Sequence, residues 1–226
     1  MRKSCRAFIA SVLIMSVVVT TGCSSPKNTV APLANLQANK IAVSEYYADG
    51  QYEADVLKIA EDADKYLSKT LQSNRYSKPA IVFDIDDTLL NNYPIYKRMG
   101  FRFSSALWRQ WINLGNIPAI EPMQALFAKY VDKVDVFIIT GRNVFQKAQT
   151  VRNLKSKGYE GWTSVFYKQE WDRELTARQY KARTMKQLVE SDGFQIIANF
   201  GDQESDFGFE ISGRNFKLPN YLYVTK

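Results

Sequence analysis

The acidic residues with the clearest chemical potential in this chain lie in the segment Asp84-Ile85-Asp86-Asp87-Thr88. The segment follows a short apolar run, residues 80–83, which predicts a buried strand. Because parallel sheets bind ligands at the carboxyl ends of their strands, we expect these carboxylates where a substrate binds. Carboxylates can attack a substrate, transfer protons or bind a divalent cation. The Asp-x-Asp-x-Thr pattern alone is weak, because it also arises by chance.

Three further polar groups follow or separate the later apolar runs. They are Thr140-Gly141-Arg142 after residues 134–139, Lys181 between residues 164–167 and 194–198, and Gly201-Asp202-Gln203-Glu204-Ser205-Asp206 after residues 194–198. Each group alone has an ordinary explanation, since threonines cap helices, lysines lie on surfaces and aspartates are common in turns. Their ordered occurrence along successive strands favours one shared site.

The orientation of Lys181 follows from helical geometry. Met185, Leu188 and Val189 lie four, seven and eight residues further along the chain and therefore share its helical face. An apolar face points into the fold, and a buried lysine is costly unless an anion lies beside it. The carboxylates and a bound phosphate would supply that anion, so we expect Lys181 to point inward.

Alternating strand and helix patterns predict the fold class. Helical spacing of apolar residues indicates an amphipathic helix from Gln51 to about Leu71, and further helical patterns cover residues 143–157 and 177–190. Four short strands in this arrangement predict an α/β fold with a parallel sheet flanked by helices. The long aromatic-rich segment 89–130, inserted after the first strand, predicts a small helical cap over the end of the sheet.

The N-terminal residues have the pattern of a bacterial leader. Basic residues precede an apolar run from Ala7 to about Val19, which is shorter than the ~20 residues that a membrane span needs. The following Thr21-Gly22-Cys23 resembles a lipobox, which implies lipidation of Cys23. We therefore predict a signal peptide (1–22), a lipidated tether (23–42) and a catalytic domain (43–226). The alternative is that Cys23 only follows a cleaved signal peptide.

Composition excludes several classes of protein. The chain contains no histidine, which excludes Ser-His-Asp hydrolases, histidine-dependent phosphatases and most zinc sites. Its formal charge is +7, but the basic residues form no run or arginine-rich helix, so we expect no nucleic-acid partner. Loss of Cys5 with the leader leaves Cys23 unpaired, so we expect no intramolecular disulfide.

Together these motifs resemble the haloacid dehalogenase (HAD) superfamily, and the segments around Tyr180-Lys181 and from Asn199 to Asp206 resemble its subfamily IIIB acid phosphatases. The resemblance implies a Rossmann-like HAD fold over residues 43–226. It implies that Asp84 forms a phosphoaspartyl intermediate and that Asp86 is the general acid and base. The other implied site residues are Thr140, Gly141 and Lys181 for phosphate, with Arg142 assisting, and Asp84, the Asp86 backbone carbonyl and Asp202 for a metal, braced by Asp206.

These ligands are all oxygens, so the expected cofactor is Mg²⁺. The expected function is an acid phosphatase for small phosphomonoesters, with nucleoside 5′-monophosphates as leading substrates and an acidic pH optimum, because Asp86 must first be protonated. The alternatives are a non-catalytic surface lipoprotein with the same fold and a phosphotransferase. Trp108 and Trp111 either stack on the leaving group or only pack the cap. By resemblance, we expect the protein at the bacterial cell envelope, in the outer membrane. The lipid anchor would be its sole membrane contact.

Overall fold

The structure is a computed structural model that describes residues 35–225, so Cys23 and the predicted leader lie outside the described residues. In chain order, the elements are α1 (Leu36–Ala48), α2 (Gln51–Gln72), β1 (Pro79–Phe83), α3 (Tyr93–Arg98), α4 (Ser105–Leu114), α5 (Glu121–Tyr130), β2 (Asp135–Asn143), α6 (Lys147–Ser156), β3 (Ser164–Lys168), α7 (Ala177–Lys186), a π-helical segment (Gln187–Ser191), β4 (Gln195–Gly201) and β5 (Arg214–Lys217). Among residues 35–225, no helix combines the length and the apolar character that crossing a membrane requires.

The five strands form a single parallel sheet in the order β3-β2-β1-β4-β5, which confirms the predicted α/β class. From β1 the chain first adds β2 and β3 on one side, and then returns to add β4 and β5 on the other. The direction of winding therefore reverses at β1. Doubly wound sheets open a crevice at the carboxyl end of the strands where this reversal occurs, and in this chain that end leads directly into Asp84.

Alternate residues of β1 pack against two different helical layers. Ile81 and Phe83 are buried in the larger apolar core together with residues of α2 and α5. Ala80 and Val82 point to the opposite face, where they are buried with residues of α7. Because both faces of β1 are covered, its sequence is a continuous apolar run without polar alternation.

Helices α3 and α4 form a cap with an aromatic cluster of its own. Ile95, Tyr96 and Met99 form the buried centre of this cluster, and Trp108 of α4 packs against it. Helix α5, also within the segment predicted as a cap, instead contributes Met123 and other apolar residues to the main core. The predicted cap is therefore divided: α3 belongs to the separate cluster, α4 packs on both clusters through Trp108 and Ile112, and α5 belongs to the main core.

Two elements of the fold, α1 and β5, were not predicted from the sequence. Helix α1 begins at Leu36 because the side chain of Asn35 accepts hydrogen bonds from the backbone nitrogens of Gln37 (2.8 Å) and Ala38 (3.3 Å). The predicted domain start at residue 43 lies inside this helix. Strand β5 was also not predicted, because it is only four residues long and Phe216 is its one buried residue.

The turn that leads into β5 requires glycine at position 213. Gly213 has φ +65°, and a Cβ atom there would collide with the backbone of Ile196 and Ile197 in β4. Gly213→Ala should therefore combine left-handed strain with a steric clash and destabilise the protein by roughly 2–4 kcal/mol. Gly193→Ala is the matched control, because Gly193 also has positive φ (+74°) but a Cβ atom there would meet no heavy atom within 4 Å. It should cost about 1 kcal/mol in urea unfolding, and equal losses for the two variants would contradict the clash.

Candidate active site

Three buried aspartates meet at the carboxyl ends of the two central neighbouring strands. Asp84 follows β1, Asp202 follows β4, and Asp206 lies in a single 3₁₀ turn just beyond it. One carboxylate oxygen from each residue lies within 4.8 Å of the other two. Because β1 and β4 pair directly, their ends are adjacent, and two distant motifs of the sequence form one cluster.

The ammonium group of Lys181 lies between two of these carboxylates. Lys181 is on α7, its Nζ is 2.5 Å from Oδ1 of Asp84, and it also forms an ion pair with Asp206. Its side chain is buried, as the inward-facing geometry of this helix predicted. A positive charge in this position reduces the repulsion between Asp84 and Asp206, which would otherwise be large away from water.

Asp206 is fixed by the tight turn that follows β4. Its Oδ2 accepts a hydrogen bond from the backbone nitrogen of Gln203 (2.9 Å), and its carbonyl oxygen accepts one from Asn199 Nδ2 (2.7 Å). A Cβ atom on Gly201 would collide with the Asp206 side chain. Glycine at position 201 therefore allows this carboxylate to lie directly against the end of β4.

Among the described residues, the hydrogen bonds to Asp202 reach one of its two carboxylate oxygens. Its Oδ2 accepts hydrogen bonds from Gln203 Nε2 (2.6 Å) and from Asn220 Nδ2 (2.5 Å). Asn220 lies beyond β5, in the C-terminal segment, and the sequence motifs gave no indication of it. Within the described hydrogen bonds, Asp202 Oδ1 is left for other partners.

Asp86 has a different and more exposed setting. The guanidinium of Arg142 binds it through two hydrogen bonds, Nε to Oδ2 (3.0 Å) and Nη2 to Oδ1 (2.7 Å), while Nη1 donates to Thr150 (3.0 Å). Asn92 Nδ2 also donates to Oδ1 (3.0 Å). The contacts of Arg142 are therefore with Asp86 and helix α6, and they fix the orientation of the Asp86 carboxylate.

The loop between Asp86 and α3 is stabilised by Asp87 and Asn92. Asp87 is buried in the left-handed conformation (φ 57°), and its Oδ1 accepts a hydrogen bond from the Asn92 backbone nitrogen (2.8 Å). The side-chain oxygen of Asn92 accepts one from Trp111 Nε1 (2.9 Å), so the cap helix α4 is tied to this loop. Trp111 therefore has a structural contact that the sequence did not reveal.

Burial changes the proton affinity of the carboxylates. Burial raises the pKa of Asp84 well above its usual range, although the charge of Lys181 lowers it. Burial, followed by the charges of Asp206 and Asp87, raises the pKa of Asp202 to about 8. The pKa of Asp87 is raised to about 7, again mainly by burial. Burial lowers the pKa of Lys181, but Asp206 and Asp84 reverse that effect and raise it overall, so the ammonium stays charged.

A cavity of about 750 Å³ opens over these groups. Its floor includes Asp84, Asp86, Gly141, Lys181 and the Asp202 to Asp206 turn, whereas Thr140 is fully buried and accepts a hydrogen bond from the Arg142 backbone nitrogen (3.1 Å). The walls are formed by largely aromatic residues of the cap and by residues 222–225 of the C-terminal segment, whose Tyr223 stacks on Tyr96 of the cap. The wall residues are Tyr96, Phe101, Phe103, Trp108, Arg109, Leu222, Tyr223, Val224 and Thr225. Of the predicted residues, Asp84, Asp86, Gly141, Arg142, Lys181, Asp202, Asp206 and Trp108 line this one cavity, whereas Thr140 and Trp111 do not.

Fold and site together define an α/β enzyme that gathers carboxylates and a lysine at the reversal point of a doubly wound sheet. The family model for the HAD superfamily, subfamily IIIB (acid phosphatase), matches residues 15–226. The chain therefore belongs to subfamily IIIB of the HAD superfamily and is an acid phosphatase, a phosphoric monoester hydrolase. The resemblance seen in the sequence motifs is confirmed. The substrate of this protein is a small-molecule phosphate ester.

Plant proteins are among its relatives, and a bacterial protein shares its fold. Acid phosphatase 1 of Solanum lycopersicum is 32% identical over 186 residues, covering 80% of this chain and 72% of the relative. Stem 28 kDa glycoprotein of Glycine max is 34% identical over 189 residues, with 80% and 73% coverage. The crystal structure of the class C acid phosphatase from Bacillus anthracis with tungstate bound has the same fold, with a TM-score of 0.69 at 21% identity, covering 84% of this chain and 86% of that one.

The raised pKa values predict how stability depends on pH when no metal is bound. The ordinary pKa of Asp202 is 3.8, and in the folded protein it is about 8, so between these values the folded state binds more protons than the unfolded state. Stability must then fall as pH rises across this window. In EDTA, the melting temperature should decrease from pH 5 to pH 8, and Asp202→Asn should make the slope shallower. A wild-type melting temperature that rises across this range, with the same slope in Asp202→Asn, would contradict the assignment.

Proposed function

We propose that this acid phosphatase is Mg²⁺-dependent and hydrolyses phosphomonoesters through a phosphoaspartyl intermediate on Asp84. The observation that carries the proposal is the buried cluster of Asp84, Asp202 and Asp206, with the Lys181 ammonium between Asp84 and Asp206. Such a cluster is costly to bury, and it is suited to holding a cation beside a phosphate group. We therefore assign three roles to residues of the site: binding a cation, binding the phosphate and carrying out the reaction.

The donor set of the cluster fits Mg²⁺. Asp84 and Asp202 would bind the ion through carboxylate oxygens and Asp86 through its backbone carbonyl, with Asp206 bracing the site. Oxygen ligands of this kind suit a hard cation, and the chain has no histidine to favour zinc. When bound, the cation would offset the repulsion between the carboxylates and a phosphate, which is about 4 kcal/mol per unit-charge pair at 4 Å for an effective dielectric of 20.

Asp84 is the proposed nucleophile. One of its carboxylate oxygens attacks the phosphorus and forms an acyl phosphate, while the bond from phosphorus to the leaving oxygen breaks. Asp84 Oδ1 accepts a hydrogen bond from Lys181, which keeps that oxygen in a fixed position. Water then attacks the phosphorus of the acyl phosphate, releases inorganic phosphate and restores the carboxylate.

Asp86 is the proposed general acid and base. It gives a proton to the leaving oxygen in the first step and takes one from the attacking water in the second. Its hydrogen bonds with Arg142 and Asn92 hold the carboxylate in one orientation at the floor of the cavity. The requirement for a protonated Asp86 in the first step favours an acidic pH optimum.

Thr140, Gly141 and Lys181 are the proposed phosphate-binding residues. Gly141 lies on the cavity floor, and a Cβ atom there would have no heavy atom within 4 Å, so the backbone is open to an approaching ligand. Lys181 carries the positive charge closest to Asp84. Positioned donors of this kind stabilise the charge that develops on a phosphoryl group during transfer.

Nucleoside 5′-monophosphates are the proposed substrates. The cap wall of the cavity includes Tyr96, Phe103 and Trp108, and Phe103 is about two-thirds exposed. Trp108 is 6.0 Å from Tyr96 and 6.4 Å from Phe103 between ring centroids, so these rings form a continuous aromatic surface. A nucleobase or another flat leaving group can stack on such a surface.

We also propose export and lipid anchoring at Cys23, with the enzyme held at the outer membrane of a bacterial cell envelope. The sequence motif Thr21-Gly22-Cys23 supports this proposal, and it lies outside the described residues. Residues 23–35, rich in serine, proline, alanine and asparagine, would then connect the lipid to the enzyme.

The nucleophile and the cation are tested together by measuring phosphate release. Asp84→Asn should lower kcat by at least about 10³-fold, because the amide cannot form the acyl phosphate. EDTA should silence the wild-type protein, and added Mg²⁺ should restore it. Asp192→Asn is the matched control, since Asp192 is exposed and distant from the cavity lining, and its rate should equal wild type. Full turnover by Asp84→Asn would refute the assignment.

The aromatic wall is tested by comparing two substrates. Trp108→Ala should lower kcat/KM about 10-fold for a nucleoside 5′-monophosphate, because the leaving group loses a stacking partner. For glycerol phosphate, which has no ring, the change should be less than about twofold. Trp171→Ala is the control, because Trp171 is exposed and is not among the cavity-lining residues. An unchanged substrate preference in Trp108→Ala would show that Trp108 only packs the cap.

A further inference from the structure

The C-terminal segment, residues 219–225, makes a direct contact with the proposed metal site. Asn220 Nδ2 donates a hydrogen bond to Asp202 Oδ2 (2.5 Å), and Gln203 Nε2 donates a second to the same oxygen (2.6 Å). A carboxylate has about four acceptor positions, roughly two on each oxygen. The two amides therefore use the acceptor positions of Oδ2 and leave Oδ1 as the oxygen that can bind a cation.

The amide of Asn220 is itself held in one orientation. Its side-chain oxygen accepts hydrogen bonds from the backbone nitrogens of Leu222 (2.7 Å) and Tyr223 (3.4 Å). This turn directs the oxygen towards the segment's own backbone, so the amide nitrogen must face Asp202. Asn220 therefore connects the fold of the C-terminal segment with the orientation of an acidic side chain in the site.

Further contacts fix the segment to the turn after β4 and to the cap. The Thr225 backbone nitrogen donates to Gln203 Oε1 (2.8 Å), which joins the segment to the turn after β4. The Tyr223 ring stacks on Tyr96 of the cap, with 5.2 Å between centroids and 18° between ring planes. The segment thus links the acidic cluster to the cap, and Tyr223 and Thr225 also line the cavity.

We infer that Asn220 is a positioning residue for Asp202 and that the C-terminal segment is an integral part of the metal site. The inference rests on the proposed Mg²⁺ dependence. Residues that orient a metal ligand typically change metal affinity by about 10-fold to 100-fold when they are removed. Asn220 acts through Asp202, so its loss weakens cation binding more than it slows the reaction at saturating Mg²⁺.

The test is a Mg²⁺ titration of the purified protein with two readouts: the rate of p-nitrophenyl phosphate hydrolysis, and the rise in melting temperature. Asn220→Ser keeps a side-chain oxygen that can accept from the turn, but it removes the amide donor. The Mg²⁺ concentration for half of the maximal effect should rise about 10-fold to 100-fold in both readouts. The rate at saturating Mg²⁺ should stay within about threefold of wild type.

The controls separate this inference from the proposed function. Asn116→Ser should leave both titrations unchanged, because Asn116 is exposed and contacts Lys157 rather than Asp202. Asn220→Thr is a second variant that also keeps a side-chain oxygen and removes the amide donor, so the same result is expected. The melting temperature in EDTA verifies that each variant is folded. If the wild type responds to Mg²⁺ but folded Asn220→Ser and Asn220→Thr reach half of the maximal effect at the wild-type Mg²⁺ concentration, the inference is overturned. The proposed cofactor is not affected by that result. A wild type without any response to Mg²⁺ would overturn the proposed cofactor and the inference together.

Discussion

The accumulation of buried negative charge at the end of β1 is the constraint on which the rest of the site depends. Asp84, Asp202 and Asp206 are buried within 4.8 Å of one another, and Lys181 is the cation in contact with two of them among the described residues. One ammonium cannot balance three carboxylates in a region of low dielectric. The remaining acids must hold protons, as the raised pKa of Asp202 indicates, or share a further cation. Both outcomes follow from the same unbalanced charge.

The fold creates this accumulation through the winding order of the sheet. Because β1 lies between β2 and β4, the loops after these three strands meet above one strand end. Each strand end contributes different groups: an acidic pair after β1, the buried Arg142 in the last residues of β2 and the acidic turn after β4. The strands themselves are covered on both faces and held by ladder hydrogen bonds, so they provide a rigid base for charges that repel one another.

The sequence predicted the parts of this arrangement that depend on local patterns. The apolar runs marked four of the five strands, and the helical spacing from Lys181 to Val189 predicted a lysine that points inward. Strand β5 and helix α1 could not be predicted in this way, because one has a single buried residue and the other is mostly exposed. Asn92 and Asn220 were missed for another reason. Their roles come from hydrogen bonds to residues brought close by the fold, and an isolated asparagine in a loop has no spacing pattern.

Burying the acidic cluster has an energetic cost, so packing alone does not explain why the chain retains it. Buried ion clusters contribute little or nothing to stability, and apolar residues of similar volume are often more stabilising. A chain that required only the fold would have little stability to lose by replacing Asp84, Asp202 and Lys181 with apolar residues of similar volume. Their presence together, with Gly201 leaving space for Asp206, fits the proposed phosphoryl transfer better than a role in packing.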